Sequence, residues 1–308
     1  MTPQKPRILL LGALGQVGRE LQAGFAGLGD LACADRKSAD FAHPEQLRDL
    51  VRRLAPDVIL NAAAYTAVDR AESEPALAMT VNAEAPRVLA EEALRSGALL
   101  VHYSTDYVFD GSKQEPWTEA DTPGPLNTYG ATKLAGERAV ESIACKRLVF
   151  RTSWVYGPHG NNFLFTMLRL ARERERLSIV DDQFGAPTTS IEIASATREI
   201  VEGILKGQFG SAKDWSGIYH MTCADSTTHA TTWFGFAQAI FERAGRLLDG
   251  KLPQLIPIAT ADYPTPASRP RNSVLSNARL VERFGIRLAP WPAALDAVME
   301  RLLSDAGY

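Results

Sequence analysis

The chain has 308 residues, 45% of them hydrophobic and 22% charged, enough apolar material for one large α/β domain or two lobes. A net charge of −3 gives no general electrostatic reason to expect nucleic acid or an anionic membrane surface as partner. Three scattered cysteines, Cys33, Cys145 and Cys223, argue against a disulfide framework and a structural zinc site, and no apolar run suits a signal peptide or a membrane span, so a cytoplasmic protein is expected.

In chain order, the first apolar run predicts a strand over Arg7–Leu11, followed at once by Gly12-Ala13-Leu14-Gly15-Gln16-Val17-Gly18. Gly12 permits a tight turn, Gly15 lets the backbone approach a pyrophosphate, and Gly18 allows a helix to pack on the sheet. A helix over Gln16–Leu28 would then present free N–H groups to the phosphates. The pattern alone is weak, since glycines serve ordinary turns; its place between strand and helix raises its weight. The next strand, Leu31–Asp35, ends on Asp35, about twenty residues past the loop, where a ribose-binding carboxylate is expected. Arg36 beside it suits adenine or a 2′-phosphate. A solvated Asp-Arg turn is the competing reading, and the pair leaves NAD against NADP open.

A helix over Pro44–Leu54 leads to a strand over Val58–Asn61, after which Asn61-Ala62-Ala63-Ala64 offers small side chains for close approach to a cofactor or for plain packing. A helix over Pro75–Ser96 precedes the strand Leu99–Ser104, which runs into Ser104-Thr105-Asp106. The helix Thr128–Ser142 carries Tyr129 and Lys133, and positions i and i+4 share a helix face. A phenol beside an ammonium can exchange a proton with a substrate oxygen, the cation lowering its pKa, while a hydroxyl at the strand end donates to the same oxygen. Tyr and Lys recur at this spacing by chance; glycine loop, Ser/Thr and Tyr-x-x-x-Lys in chain order form a far more specific set. A strand over Arg147–Thr152 is followed by Trp154, placed either to line a pocket or to join the core.

The second half is less regular. Helices are expected over Asn162–Arg176, Ser190–Lys206, Thr231–Leu248 and Ala289–Leu303, and strands over Leu177–Val180 and Gly217–Met221. Asp262–Asn272 reads as a Pro- and Arg-rich loop, within which Arg269, Arg271 and Asn272 suit a nucleotide diphosphate about as well as they suit solvent. The histidines His43, His102, His159, His220 and His229 show no metal spacing, and His102 and His220 fit satisfied core positions. Strands alternating with helices predict an α/β fold, a doubly wound parallel Rossmann sheet, with its site beyond the strand C-termini.

From these motifs the chain resembles the dTDP-4-dehydrorhamnose reductase family of extended short-chain dehydrogenase/reductases. The similar segments are GALGQVG from Gly12, NAAAYTAVDRAESEP from Asn61, HYSTDYVFDG from His102 and PLNTYGATKLAGE from Pro125. They continue with FRTSWVYG from Phe150, NNFLFTMLRLA from Asn161, DQFGAPT from Asp182, GIYHM from Gly217 and TPASRPRNSVL from Thr265. They run in order through nearly the whole chain, and HYSTDYVFDG and DQFGAPT are the most specific. The resemblance implies reduction of the C4 keto group of dTDP-4-dehydro-L-rhamnose by NADPH, with NADH also usable, as the last step towards dTDP-L-rhamnose. It implies Tyr129 as proton donor, Lys133 as its electrostatic partner and Thr105 as the orienting hydroxyl. Cofactor contacts fall to Gly12, Gly15, Gln16, Val17, Gly18, Asp35, Arg36, Ala64, Tyr65 and Thr66, and Tyr129 and Lys133 join them. Thr105, Asp106, Trp154, Asn162, Arg269 and Asn272 are assigned to the dTDP-sugar.

The resemblance also implies a discontinuous architecture. Residues 1–155 with about 187–222 form the cofactor domain, and about 156–186 with 223–308 form a smaller sugar-nucleotide lobe. Some members hold Mg²⁺ through glutamates at a dimer interface; Glu20 matches one, no firm match falls near Glu192, and no metal is expected, while a homodimer is left open. Two rival readings stand beside this one: another sugar-nucleotide epimerase or dehydratase of the same fold, and a non-catalytic regulatory subunit. The dehydratases carry an Asp-Glu pair after the catalytic Thr, whereas Asp106-Tyr107 stands here.

Overall fold

The computed structural model describes residues 5–224 and 230–305. The apolar runs of the first half form β1 (Arg7–Leu11), β2 (Asp30–Ala34), β3 (Val58–Asn61), β4 (Leu99–Thr105) and β5 (Lys146–Thr152). A late strand, β6 (Gly217–His220), joins them. All pair in parallel, in the order β6-β5-β4-β3-β1-β2. The interiors of β1, β3, β4 and β5 are near-continuous apolar runs because both faces are covered, whereas the edge strand β2 is part-exposed. On one face Ile8, Leu10, Val58, Leu60, Val101, Leu148 and Phe150 are sealed by α1 (Gln16–Phe25) and by residues of Ser190–Leu205. On the other, Leu9, Leu11, Ile59, Leu100 and Val149 pack against α2 (Pro44–Leu54) and α3 (Ala85–Ser96). Each fully buried Leu or Ile contributes about 1.5–3 kcal/mol relative to exposure.

Polar contacts weld α2 to α3. Glu92 is buried; desolvation pushes its carboxyl up, but hydrogen bonds from Arg52, Arg95 and Arg48 win and hold it at about 2.

The expected helix over Pro75–Ser96 is not one regular helix. It runs as Pro75–Met79, a wide π turn over Thr80–Glu84, and then α3. Pro86 is the reason: it has no N–H for the carbonyl of Asn82, and its ring would crowd that carbonyl in a regular α-helix. The α1 helix stops at Phe25, short of the expected Leu28, ahead of Gly27 with φ +85°.

In the second half the longer helices are Phe163–Glu173, Ser190–Leu205, Trp233–Arg243 and Trp291–Asp305. Arg176 belongs to the strand Arg176–Val180, and Leu248 lies beyond a helix that ends at Arg243. That strand pairs in parallel with Gln254–Ile258, which the sequence reading missed because Pro253 precedes it and Pro257 interrupts it. The short helices Val68–Ala71 and Ala278–Phe284 were also missed. Tyr156, Leu164, Leu168, Ile179, Phe236, Ile240, Leu295 and Val298 make a separate core for this region.

Candidate active site

Beyond the C-terminal ends of β1, β3, β4 and β5 the expected residues gather. Gly12 sits at φ +78°, and a Cβ there would lie 2.7 Å from the Ala63 nitrogen. A Cβ on Gly18 would meet the Gly12 carbonyl at 2.1 Å. The fold itself therefore demands these two glycines. Gly15 differs: a Cβ there would meet only the Gly12 carbonyl, at 3.3 Å, so protein packing does not fill the space in front of it. Gly15 also caps α1 with no side-chain hydrogen bond, leaving the first N–H groups of the helix free for an anion. That is the cradle a pyrophosphate fits.

Asp35 follows β2, and its Oδ1 accepts from the Lys37 and Ser38 N–H groups and the Ser38 hydroxyl at 3.0, 3.1 and 2.9 Å. Those bonds, led by the Ser38 hydroxyl, hold its carboxyl below the usual range. The Arg36 side chain is 83% exposed, with Asp40 3.9 Å away, so it is free to swing towards a ligand. Past β3, Asn82 in the π turn accepts from the Tyr65 N–H at 2.8 Å and donates to the Tyr65 carbonyl and the Thr132 hydroxyl. One buried amide thus ties the Ala64-Tyr65-Thr66 loop to the helix bearing Tyr129. Sequence reasoning missed Asn82; the signal for it was Pro86, four residues on.

That helix, α4 (Thr128–Glu141), begins at Asn127, whose Oδ1 accepts from the Gly130 N–H at 2.8 Å while its Nδ2 donates to the Ser268 carbonyl at 2.7 Å. A Cβ on Gly130 would stand 2.1 Å from the Tyr107 carbonyl, so glycine lets α4 approach the end of β4. Tyr129 lies edge-on to Tyr107, ring centroids 5.9 Å apart. Burial raises its phenol to about 12, the Thr105 hydroxyl opposing and the Asp106 charge adding to the rise. Lys133 was expected to lower that pKa. Its ammonium instead donates to the Tyr103 carbonyl at 2.6 Å and lies 3.5 Å from His102 Nε2, and burial lowers its own pKa to about 8. His102 is buried and bonded to Asn61 at 3.0 Å; His220 is buried and bonded to the Trp117 carbonyl at 3.1 Å. His229 lies outside the described residues.

Thr105 donates to Asp106 Oδ1 at 2.9 Å and accepts from the Tyr107 N–H at 3.2 Å. Asp106 is buried, and its Oδ2 has no hydrogen-bond partner among the described residues. Desolvation lifts its pKa to about 7, against the pull of the nearby Ser273 and Thr105 hydroxyls. Thr152, the register partner of Thr105, also buries an unpartnered hydroxyl. Two residues on, Trp154 is half-buried and carries a left-handed φ of +47°.

The remaining candidates have protein partners. Asn162 caps Phe163–Glu173 by accepting from the Phe165 N–H and donates to Gln16 Oε1 at 3.0 Å. Asn272 donates to the Lys113, Gln114 and Glu115 carbonyls and accepts from the Val274 N–H. Arg269 makes a two-pronged pair with Asp69 at 2.7 and 2.8 Å. Glu20 meets Arg301 at 3.1 Å and His159 at 3.6 Å, and Glu192 accepts from the Ala289 N–H. Among the described residues no three His, Cys, Asp or Glu side chains cluster as a metal site.

Parallel sheet, glycine cradle, strand-end Thr and helical Tyr-x-x-x-Lys together define the short-chain dehydrogenase/reductase class. The family described as RmlD substrate binding domain matches residues 6–304. A dTDP-4-dehydrorhamnose reductase of Burkholderia thailandensis is 49% identical over 303 residues, 97% of this chain and 100% of that one. One from Escherichia coli K12 is 44% identical over 96% of this chain and 98% of its own length. The solved dTDP-4-dehydrorhamnose reductase of Bacillus anthracis, in complex with NADP, superposes with a TM-score of 0.87 at 34% identity, over 97% of this chain and 100% of that one. The chain belongs to the dTDP-4-dehydrorhamnose reductase family. A UDP-glucose 4-epimerase from Thermus thermophilus shares the fold, with a TM-score of 0.72 at 20% identity.

Proposed function

We propose that this enzyme reduces the C4 keto group of dTDP-4-dehydro-L-rhamnose to give dTDP-L-rhamnose, using NADPH or NADH. The observation that carries the reading is the placement of Thr105, Asp106 and Tyr129 around the β4 end, with a buried carboxylate oxygen unpartnered there. The free N–H groups of α1 and the open space at Gly15 hold the pyrophosphate, and Asp35 and Arg36 meet the adenosine ribose. When bound, the reduced nicotinamide supplies the hydride to C4. Tyr129 gives the proton to the C4 oxygen; a phenol titrating near 12 keeps that proton at neutral pH, as a reductase requires. Lys133, largely an ammonium below about pH 8, stabilises negative charge in the site and meets the nicotinamide ribose. Thr105 orients the keto oxygen, Asp106 Oδ2 accepts from a sugar hydroxyl, and Trp154 touches the sugar.

Asn162 and Asn272 support the site by holding its loops, and Arg269 faces the nucleotide from its pair with Asp69. The division into a cofactor domain, 1–155 with about 187–222, and a sugar lobe, about 156–186 with 223–308, is supported by the return of β6 to the sheet and the separate second core. A cytoplasmic location suits three free cysteines, and no described helix is long and apolar enough to cross a membrane.

Dehydration is the competing chemistry, and it needs an acid and a base near C5 and C6. Tyr107 stands where the second carboxylate would be, and burial carries its phenol further above its ordinary value near 10. Incubation with dTDP-glucose and NAD is therefore expected to give no 4-keto-6-deoxy sugar, and its appearance at a catalytic rate would overturn the reductase reading.

A further inference from the structure

A histidine buried only for packing has both ring nitrogens satisfied, and His102 does not. It sits on β4 beside Asn61, its register partner on β3. Asn61 Oδ1 accepts from the Ala63 N–H at 3.2 Å, so the other amide atom, Nδ2, is the one 3.0 Å from His102 Nδ1. An amide nitrogen only donates, so Nδ1 accepts. Burial, reinforced by the charge of Lys133, pushes the imidazole well below its usual range and keeps it neutral. In a neutral ring whose Nδ1 accepts, the proton lies on Nε2.

That N–H faces Lys133 Nζ at 3.5 Å. An N–H and an ammonium are both donors, so the approach is repulsive and not a hydrogen bond. The other groups around Nζ offer few acceptors. The Tyr103 carbonyl takes one ammonium proton at 2.6 Å. Glu137, one turn along α4, gives both carboxylate oxygens to Arg151 of β5, at 2.9 and 2.6 Å. Tyr129, one turn back, keeps its own proton. Among the described residues the buried Lys133 thus has one acceptor for an ammonium that carries three donors.

We propose that His102 is a positioning residue for Lys133: its Nε2–H, fixed by Asn61, denies the ammonium a second protein acceptor and leaves its remaining donors for the nicotinamide ribose. This rests on the reading that Lys133 meets that ribose. Burial brings Lys133 down to about 8, with Glu137 opposing, and a facing N–H disfavours the charged form further. The test compares pH profiles of kcat/KM for NADPH, which report groups of the free enzyme, in the parental enzyme, His102→Leu and Lys133→Met. The ring nitrogens of isotope-labelled histidines are followed by NMR alongside.

The parental profile should fall above about pH 8, as Lys133 loses its proton. His102→Leu removes the opposing N–H, so its alkaline limb should move up by about 0.5–1 pH unit. A loss of packing alone lowers kcat/KM at every pH and leaves the limb in place; a limb unmoved or moved down therefore overturns the proposal. By NMR, the ring missing from His102→Leu should carry its proton on Nε2 and not titrate between about pH 6 and 9. A proton on Nδ1, or a ring that becomes charged in that range, also overturns it. His102→Gln supplies the assignment should the leucine variant not fold, and the parental ring then carries the test. Lys133→Met should lose most of its kcat/KM; parental activity there would sink the reading of Lys133, and the proposal with it.

Discussion

Tyr129 and Lys133 were legible in the sequence because four residues on a helix define a shared face whatever the surroundings. Their electrostatics were not, because they depend on burial and on partners distant in sequence. The phenol is raised to about 12 by desolvation, and Lys133 is held by the Tyr103 carbonyl on β4. Tyr129→Phe keeps the ring against Tyr107 and removes the transferable proton. Turnover should fall by about two to four orders of magnitude with NADPH affinity nearly unchanged by fluorescence titration; a variant turning over at the parental rate takes the acid role from Tyr129. At the ribose, Asp35 also closes the Lys37-Ser38 turn, so Asn is the cleaner substitution than Ala. Removing its charge with Asp35→Asn should shift the ratio of kcat/KM values towards NADPH, and Arg36→Ala towards NADH. Unchanged ratios in both would mean that neither residue reads the 2′ position.

At the scale of elements, strands covered on both faces announce themselves as apolar runs, which is why β1, β3, β4 and β5 fell where the sequence placed them, within a residue; the part-exposed edge strand β2 lies one residue earlier than expected. Elements whose form depends on distant partners did not. Gln254–Ile258 pairs only with Arg176–Val180 and reads as broken by its prolines, and the π turn at Thr80–Glu84 follows from Pro86 acting four residues back. Asn162 and Asn272 illustrate the same limit, since polar residues in loops look alike whether they cap backbone or meet ligand. Asn127 is the element-scale device closest to the chemistry, capping α4 and tying it to the loop at Ser268. Asn127→Ala should cost about 0.5–2 kcal/mol, read as a thermal midpoint lower by a few degrees, with Asn127→Asp recovering part because it keeps the cap. An alanine variant melting at the parental temperature would show that the cap does not fix the helix.

For the whole molecule, the covered sheet and the second core are two separate apolar bodies. The sequence announced the first plainly, through glycine spacing and strand rhythm, and the second only through its resemblance to a family. The central claim is a one-way reduction at C4, and one assay bears on it most directly. The enzyme is mixed with dTDP-4-dehydro-L-rhamnose and NADPH, following cofactor absorbance and identifying the sugar product by NMR. One NADPH should be consumed for each dTDP-L-rhamnose formed, with none consumed when the sugar nucleotide is omitted. An absence of NADPH consumption in the complete mixture, or a product other than dTDP-L-rhamnose, would contradict the account.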